Sequence, residues 1–201
     1  IKHKNALIVT GMRQVGKTTL LRQILDNLSS LNKLWFDFTN PLDQKIFEDI
    51  DYHQIYNELQ KMVPHPKQRI YVFIDEIQNF PEVTKVIKFL IDYYKVKFIV
   101  TGSSNFYLKN LFPESLSGRK FLYHLPPLSF PELLYFRDKM SLVETKDTRL
   151  TRVLTPSTLF EFKKRQGEYE DFLRFGSFPE VVMTENSKTK TMSGIFFILF
   201  I

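Results

Sequence analysis

The sequence has no cysteine. That removes disulfides and thiolate metal sites from consideration and fits a reducing compartment, so a cytoplasmic location is expected. Histidine is nearly as scarce. His3, His53, His65 and His124 are scattered without metal-ligand spacing, and no nucleophilic triad is suggested. Long hydrophobic runs are missing too. The longest uncharged apolar stretch, Ile195–Ile201, is far too short to span a bilayer, and no membrane partner is expected. Ile1-Lys2-His3-Lys4 leads directly into an apolar segment and does not resemble a signal peptide. Internal repeats and low-complexity tracts are absent as well.

What remains is a chain of 201 residues, room for one α/β domain and a small appendage. Apolar residues make up 43% and charged residues 25%, the balance of a folded protein. Most of the 20 Phe and 9 Tyr are therefore expected in the core. The net charge of +6 suits a nucleic-acid partner, but it suits solubility and attraction for nucleotide polyanions equally well.

The chain is organised around Ile8–Leu21, IVTGMRQVGKTTLL. An apolar strand runs into Gly11, Gly16-Lys17-Thr18 follows, and an apolar helical pattern begins. This is the P-loop (Walker A) pattern in its strand–helix context. The loop Gly11, Met12, Arg13, Gln14, Val15, Gly16 is expected to wrap a polyphosphate with backbone N–H groups, with Lys17, Thr18 and Thr19 opening the helix whose positive end faces it. Gly11 and Gly16 are expected to supply positive φ and close backbone approach. Lys17 would reach the β and γ phosphates, and Thr18 places a hydroxyl where it can ligate Mg²⁺.

Asn5–Thr10 reads as a strand buried on both faces, and the helix from Lys17 carries Leu20, Leu21, Ile24, Leu25 and Leu28 on one side. Lys33–Phe38 reads as a second strand broken by Thr39-Asn40-Pro41, and Phe47–Met62 as a helix with Ile50, Ile55, Leu59 and Met62 inward. Ile70–Ile74 is a third strand, Pro81–Tyr94 a helix, Lys97–Thr101 a fourth strand, Phe106–Phe112 a short helix and Lys120–Leu125 a fifth strand. Ser129-Phe130-Pro131-Glu132 is a capping-box start for a helix through Phe136. Strands alternating with helices predict a three-layer α/β fold on a parallel sheet. Residues 1–136 are expected to form the main domain, 137–155 a linker or surface excursion and 156–192 a helical appendage. A helix over Tyr169–Phe175, ended by Gly176, belongs to that appendage, and Gly176-Ser177-Phe178-Pro179 is either a C-cap turn or backbone set against an adenine.

The buried strand Ile70–Ile74 presents Asp75 and Glu76 at its C-terminal end. Asp75 has the position of a carboxylate serving Mg²⁺, and Glu76 can orient and deprotonate a water. An acid at Glu76 points to hydrolysis of ATP. Thr101–Asn105 (TGSSN) follows the next strand, and a polar side chain there can lie between Glu76 and the γ-phosphate: Ser103 first, then Thr101, then Asn105. Arg119, before the last strand, is either a solvated surface arginine or a charge stabiliser, acting in trans as an arginine finger does.

Gly-Met-Arg-Gln-Val-Gly-Lys-Thr-Thr-Leu-Leu, Phe-Ile-Asp-Glu-Ile-Gln, Thr-Gly-Ser-Ser, Leu-Ser-Gly-Arg and Leu-Pro-Pro-Leu-Ser-Phe-Pro-Glu-Leu, in this order, resemble the prokaryotic AAA-type ATPases of the AAA+ superfamily over about residues 5–136. The resemblance implies a P-loop NTPase sheet of order 5-1-4-3-2, ATP with Mg²⁺, and sensing residues near Thr101–Asn105. It also implies a nuclease-like C-terminal domain of uncertain role, which is not expected within these 201 residues. The ending Ser193–Ile201 (SGIFFILFI) is unlike the amphipathic continuation implied, and a truncation or frameshift is expected there.

Two functional readings stay open beside each other. One is a Mg²⁺-dependent ATPase that couples turnover to conformational change. The other is a nucleotide-dependent switch, or a DNA-associated scaffold with negligible turnover of its own. The clusters Lys85–Lys97 and Lys163–Arg165 are either solvated helix faces or contacts to DNA.

Overall fold

The computed structural model describes residues 3–103, 118–139, 160, 163–176 and 178–182. The chain divides into two compact units, Ile1–Pro126 and Pro127–Ile201, so Phe130–Phe136 falls in the second. The expected helix Phe106–Phe112, candidate Asn105, nearly all of the 137–155 excursion and the apolar ending lie outside the described residues.

In the first unit the elements run β1 (Ala6–Thr10), α1 (Lys17–Asn27), β2 (Lys33–Asp37), α2 (Pro41–Lys45), α3 (Tyr52–Lys61), β3 (Tyr71–Asp75), α4 (Val83–Tyr94), β4 (Lys97–Gly102) and β5 (Lys120–His124). The five strands form one parallel sheet in the order β2-β3-β4-β1-β5, the order that the family resemblance implies. Register pairs Ile8 with Val100 and Leu122, and Phe36 with Ile74. Because side chains alternate across a strand, each buried strand feeds two cores. Ile8, Phe36, Ile74 and Val100 join the larger one, closed by Ile55 and Leu59 of α3 and by Val83, Val86, Ile87, Leu90 and Ile91 of α4. Val9, Phe73 and Ile99 point the other way, against Leu21 of α1 and the half-buried Leu20, Ile24 and Leu25. Three layers result, with α1 on one face and α3 and α4 on the other.

The expected helix Phe47–Met62 is corrected by the structure. Asn40 is an N-cap, its side chain accepting from the Leu42 N–H at 3.1 Å, and Pro41 opens α2. Asp51 caps α3 by accepting from the His53 N–H at 2.9 Å. The intervening segment therefore cannot continue a helix. Phe47 is buried there against Phe36 and Phe38, with ring centroids 5.0 and 5.5 Å apart. Ile50, expected inward, is 97% exposed, and Met62, at the end of α3, is 48% exposed.

Each parallel strand begins beside the C-terminal ends of the helices, where carbonyls lack intrahelical partners. Lys33 answers α1 there, donating to the carbonyls of Leu25 at 2.9 Å and Leu28 at 3.1 Å. Lys97 is fully buried and donates to the carbonyls of His3, at 3.0 Å, and Asn5. Burial, with the Arg69 guanidinium as a lesser cause, pushes its ammonium down to about 8. Between that value and the ordinary lysine range, the unfolded chain binds the extra proton. Stability contributed at this site therefore rises with pH from about 8 to about 10. The unfolding free energy of the native chain should gain on that of Lys97→Met by up to about 3 kcal/mol across this window. Denaturant titrations at pH 7 and 10 check this; a constant difference would contradict it.

In the second unit, α5 (Phe130–Phe136), α6 (Gln166–Phe175) and α7 (Pro179–Val182) are described. The capping box is present, with the Glu132 carboxylate accepting from the Ser129 N–H at 2.8 Å. Leu133 and Leu134 of α5 pack with Phe172 of α6, and Arg137 pairs with Asp171 at 3.4 Å. Gly176, at φ 79°, ends α6.

Candidate nucleotide site

The candidate site lies at the C-terminal ends of β1, β3 and β4, three adjacent strands. The loop after β1 needs unusual backbone at two places. Gly16 has φ 96° and Gln14 has φ 62°, both left-handed. Gly11 is constrained differently from expectation: its φ is not positive, but a Cβ there would sit 2.4 Å from the carbonyl oxygen of Leu125. Close backbone packing, not torsional freedom, requires glycine at that position. Val15 is buried and belongs to the loop's packing, whereas Met12, Arg13, Gln14 and Thr19 are exposed.

The loop delivers the chain into α1, whose first N–H groups have no capping side chain, and the first turn holds no acid. An 11-residue helix with open donors presents its positive end to whatever lies over the loop. Lys17 is 4% exposed, and its Nζ donates to the Met12 carbonyl at 2.7 Å, closing the loop on itself. Burial lowers its pKa, with Glu76 and then Asp75 opposing that and Arg13 adding to it.

Across from the loop, Thr18 Oγ1 donates to Asp75 Oδ2 at 2.7 Å. The other Asp75 oxygen accepts from the Thr101 hydroxyl, and Thr101 Oγ1 in turn accepts from the Glu76 N–H at 3.1 Å. Thr101, fully buried, thus fixes both acids rather than facing the loop. Glu76 is held at φ 53°, a left-handed conformation costly for a non-glycine residue and a recurrent mark of functional sites. Its carboxylate accepts from Ser103 Oγ at 2.9 and 2.8 Å and from the Gln78 amide. Gln78 Oε1 also accepts from the Ser103 N–H at 3.3 Å.

Lys17, Thr18, Asp75, Glu76 and Ser103 are therefore brought together. Arg119 is not. It precedes β5, and its carbonyl accepts from the Ala6 N–H at 2.7 Å, so it sits where β1 begins, while the loop leaves where β1 ends. Five residues of strand, about 15 Å, separate the two. Its guanidinium pairs with Asp92 at 2.6 Å. Gln78 was missed; its signal is the spacing Glu-Ile-Gln, in which the buried Ile77 leaves its two neighbours on one side.

An AAA domain family matches residues 3–134, well over half of the chain. The chain belongs to this family of AAA+ P-loop ATPases. An uncharacterized protein of Haemophilus influenzae is 29% identical over 195 residues, covering 94% of this chain and 43% of its own. One from Methanocaldococcus jannaschii is 26% identical over 205 residues, covering 94% and 40%. This AAA+ chain thus spans about two-fifths of the length of those curated relatives. Among solved structures, that of the Aeropyrum pernix ORC1 protein in complex with DNA aligns with TM-score 0.50 at 20% identity, covering 98% of this chain and 60% of that one. At that identity the likeness concerns the fold, and it agrees with the three layers described above. The family assigns the AAA+ chain a nucleotide-binding, ATPase-like function.

Proposed function

We propose that the chain binds ATP with Mg²⁺ at the β1–α1 loop and hydrolyses it, with Glu76 as the base. The observation that carries this reading is the meeting of the buried Lys17 ammonium with the Thr18–Asp75 pair and a Glu76 carboxylate clamped by Ser103. The loop N–H groups and Lys17 hold the β and γ phosphates. Phosphate oxygens then replace the Met12 carbonyl as partner of Lys17. Glu76 orients a water and takes its proton as the oxygen attacks the γ-phosphorus, and the bond to the β-phosphate oxygen breaks, giving ADP and phosphate.

Thr18 and Asp75 offer a hydroxyl and one ionised carboxylate, a hard oxygen donor set that fits Mg²⁺. Among the described residues no group of three or more His, Cys, Asp or Glu could hold a metal alone, which fits an ion shared with substrate phosphates. When bound, the ion supplies charge neutralisation on those phosphates. Ser103 and Gln78 position Glu76, and Thr101 positions Asp75 and Glu76 together.

Arg119 serves this reading only in trans, after release from Asp92, which makes self-association part of the proposal. Phosphate release should stop in EDTA and rise more than linearly with protein concentration. Linear dependence would remove the role in trans; release unaffected by EDTA would remove the metal. The alternative, a nucleotide-dependent switch or DNA-associated scaffold with negligible turnover, is favoured by the Lys17–Met12 closure and the Asp92 pairing, which engage Lys17 and Arg119 elsewhere until each is released.

A further inference from the structure

At the opposite edge of the same sheet lies a second cleft, of about 450 Å³, unconnected with the nucleotide loop. Its cations are placed by the strands. Lys4, Arg69 and Lys95 each stand two residues before the first residue of β1, β3 and β4, which are neighbours in the sheet. Parallel strands that start within one residue of one another, spaced about 4.8 Å apart, therefore gather three positive charges at one rim. Lys67 joins them. Part of this charge serves the fold, since Arg69 Nε donates to the Lys95 carbonyl at the end of α4 at 3.0 Å. The three lysines are different. They are exposed, and among the described residues none of the ion pairs includes Lys4, Lys67 or Lys95. The acid lining the cleft, Asp92, is taken by Arg119 at 2.6 Å. Like charges at this spacing repel one another until an anion comes between them.

The cleft continues into aromatic rings. Tyr56 and Tyr94, both in its wall, stack with centroids 3.6 Å apart and planes 13° from parallel. Tyr94 meets His53 at 5.9 Å and Phe89 at 6.2 Å, and Phe89 stacks on Tyr93 at 4.4 Å. Tyr93 is 68% exposed. Cations tracking a backbone beside open ring faces are the pattern that holds unpaired bases. An acidic peptide would use the lysines and leave the rings idle, and a duplex hides its base faces in its own stack.

We propose that this rim binds single-stranded nucleic acid, the phosphates lying along Lys4, Lys67 and Lys95 and a base stacking on the Tyr93–Phe89 ledge. The proposal does not rest on ATP hydrolysis and holds in a Lys17→Ala chain. The test is fluorescence anisotropy of a labelled oligo(dT) with the whole chain. Affinity should fall with salt, with a log–log slope near −2 if three phosphates are neutralised, at about −0.7 each. Lys4→Glu/Lys67→Glu/Lys95→Glu should weaken binding about a hundredfold and Tyr93→Ala about tenfold, while Tyr93→Phe binds as the native chain does. Salt-independent binding, equal affinity for a duplex of the same length, displacement by polyglutamate as readily as by unlabelled oligo(dT), or a charge-reversed chain that binds normally would each overturn it. Should the triple variant fail to fold, the Tyr93 pair and ultraviolet cross-linking of the native chain decide. A cross-link within 89–95 supports the proposal, and cross-links confined elsewhere refute it.

Discussion

Lys17→Ala is expected to lower ATP affinity by at least about a hundredfold while leaving the fold as stable as before or slightly more so. The two halves of this expectation have one cause. Lys17 is almost wholly buried, its pKa is lowered by that burial, and the carbonyl of Met12 is its hydrogen-bond partner. In the free chain the ammonium is a buried charge incompletely compensated by Asp75 and Glu76, so removing it costs the fold little. Facing ionised phosphates, the same group makes charge-assisted hydrogen bonds in a partly dehydrated site, worth about 1.5–3 kcal/mol each. Two such bonds account for the hundredfold loss at about 1.4 kcal/mol per decade. Titration of a fluorescent ATP analogue, with thermal unfolding alongside, checks both halves. Unchanged affinity would mean that the loop is no phosphate cradle.

Glu76→Gln is expected to keep ATP affinity within a few-fold and to lower turnover by about 10²–10⁴, the usual contribution of a positioned general base. Glutamine preserves the length and shape of the side chain and still accepts from the Ser103 hydroxyl through its carbonyl oxygen, so the pocket should survive. What it loses is the ability to take a proton. The left-handed backbone at Glu76, the Thr101 hydroxyl on its N–H and the Ser103 and Gln78 donors on its carboxylate all hold that one group in place. Single-turnover phosphate release at saturating ATP measures the effect. Equal rates for Glu76→Gln and the native chain would remove Glu76 as the base.

Much of this arrangement could be read from local pattern. Gly16-Lys17-Thr18 between an apolar strand and an apolar helix predicts the loop, and Ile70–Ile74 running into Asp75-Glu76 predicts an acid pair at a strand end, because both signals lie within a few residues of the chain. The alternation of strand and helix predicts the parallel sheet, and Val86, Ile87, Leu90 and Ile91 are buried as their spacing requires. What was illegible depends on contacts between distant segments or on competing local chemistry. The glycine at Gly11 is dictated by the Leu125 carbonyl, which no local pattern reveals. Ile50 fits a helical stripe, but Asp51 starts a new helix after it and leaves it in solvent. Arg119 stands near the site's strands in the sequence, yet a parallel strand that begins at Lys120 puts it at the far end from the loop. Thr101 reads as one polar residue among several after a strand. Only the pairing of β3 with β4 shows that it holds Asp75 and Glu76 at once.

The same geometry explains why one sheet can carry two unlike surfaces. At the strand C-terminal ends, the helix α1 begins and its open N–H groups favour anions beside the two acids Asp75 and Glu76. At the strand N-terminal ends, helices finish, and cations gather to answer their carbonyls, as Lys33 and Arg69 do. Lys4, Lys67 and Lys95 exceed that need, which is the basis of the nucleic-acid proposal.

The central claim is that the β1–α1 loop reads a polyphosphate. Isothermal titration of the native chain with ATP, ADP, AMP and adenosine in the presence of Mg²⁺ tests it most directly. The account predicts one saturable site per chain, with ATP and ADP bound far more tightly than AMP and adenosine not detected. Equal affinity across the series, or no saturable binding of ATP, would contradict it.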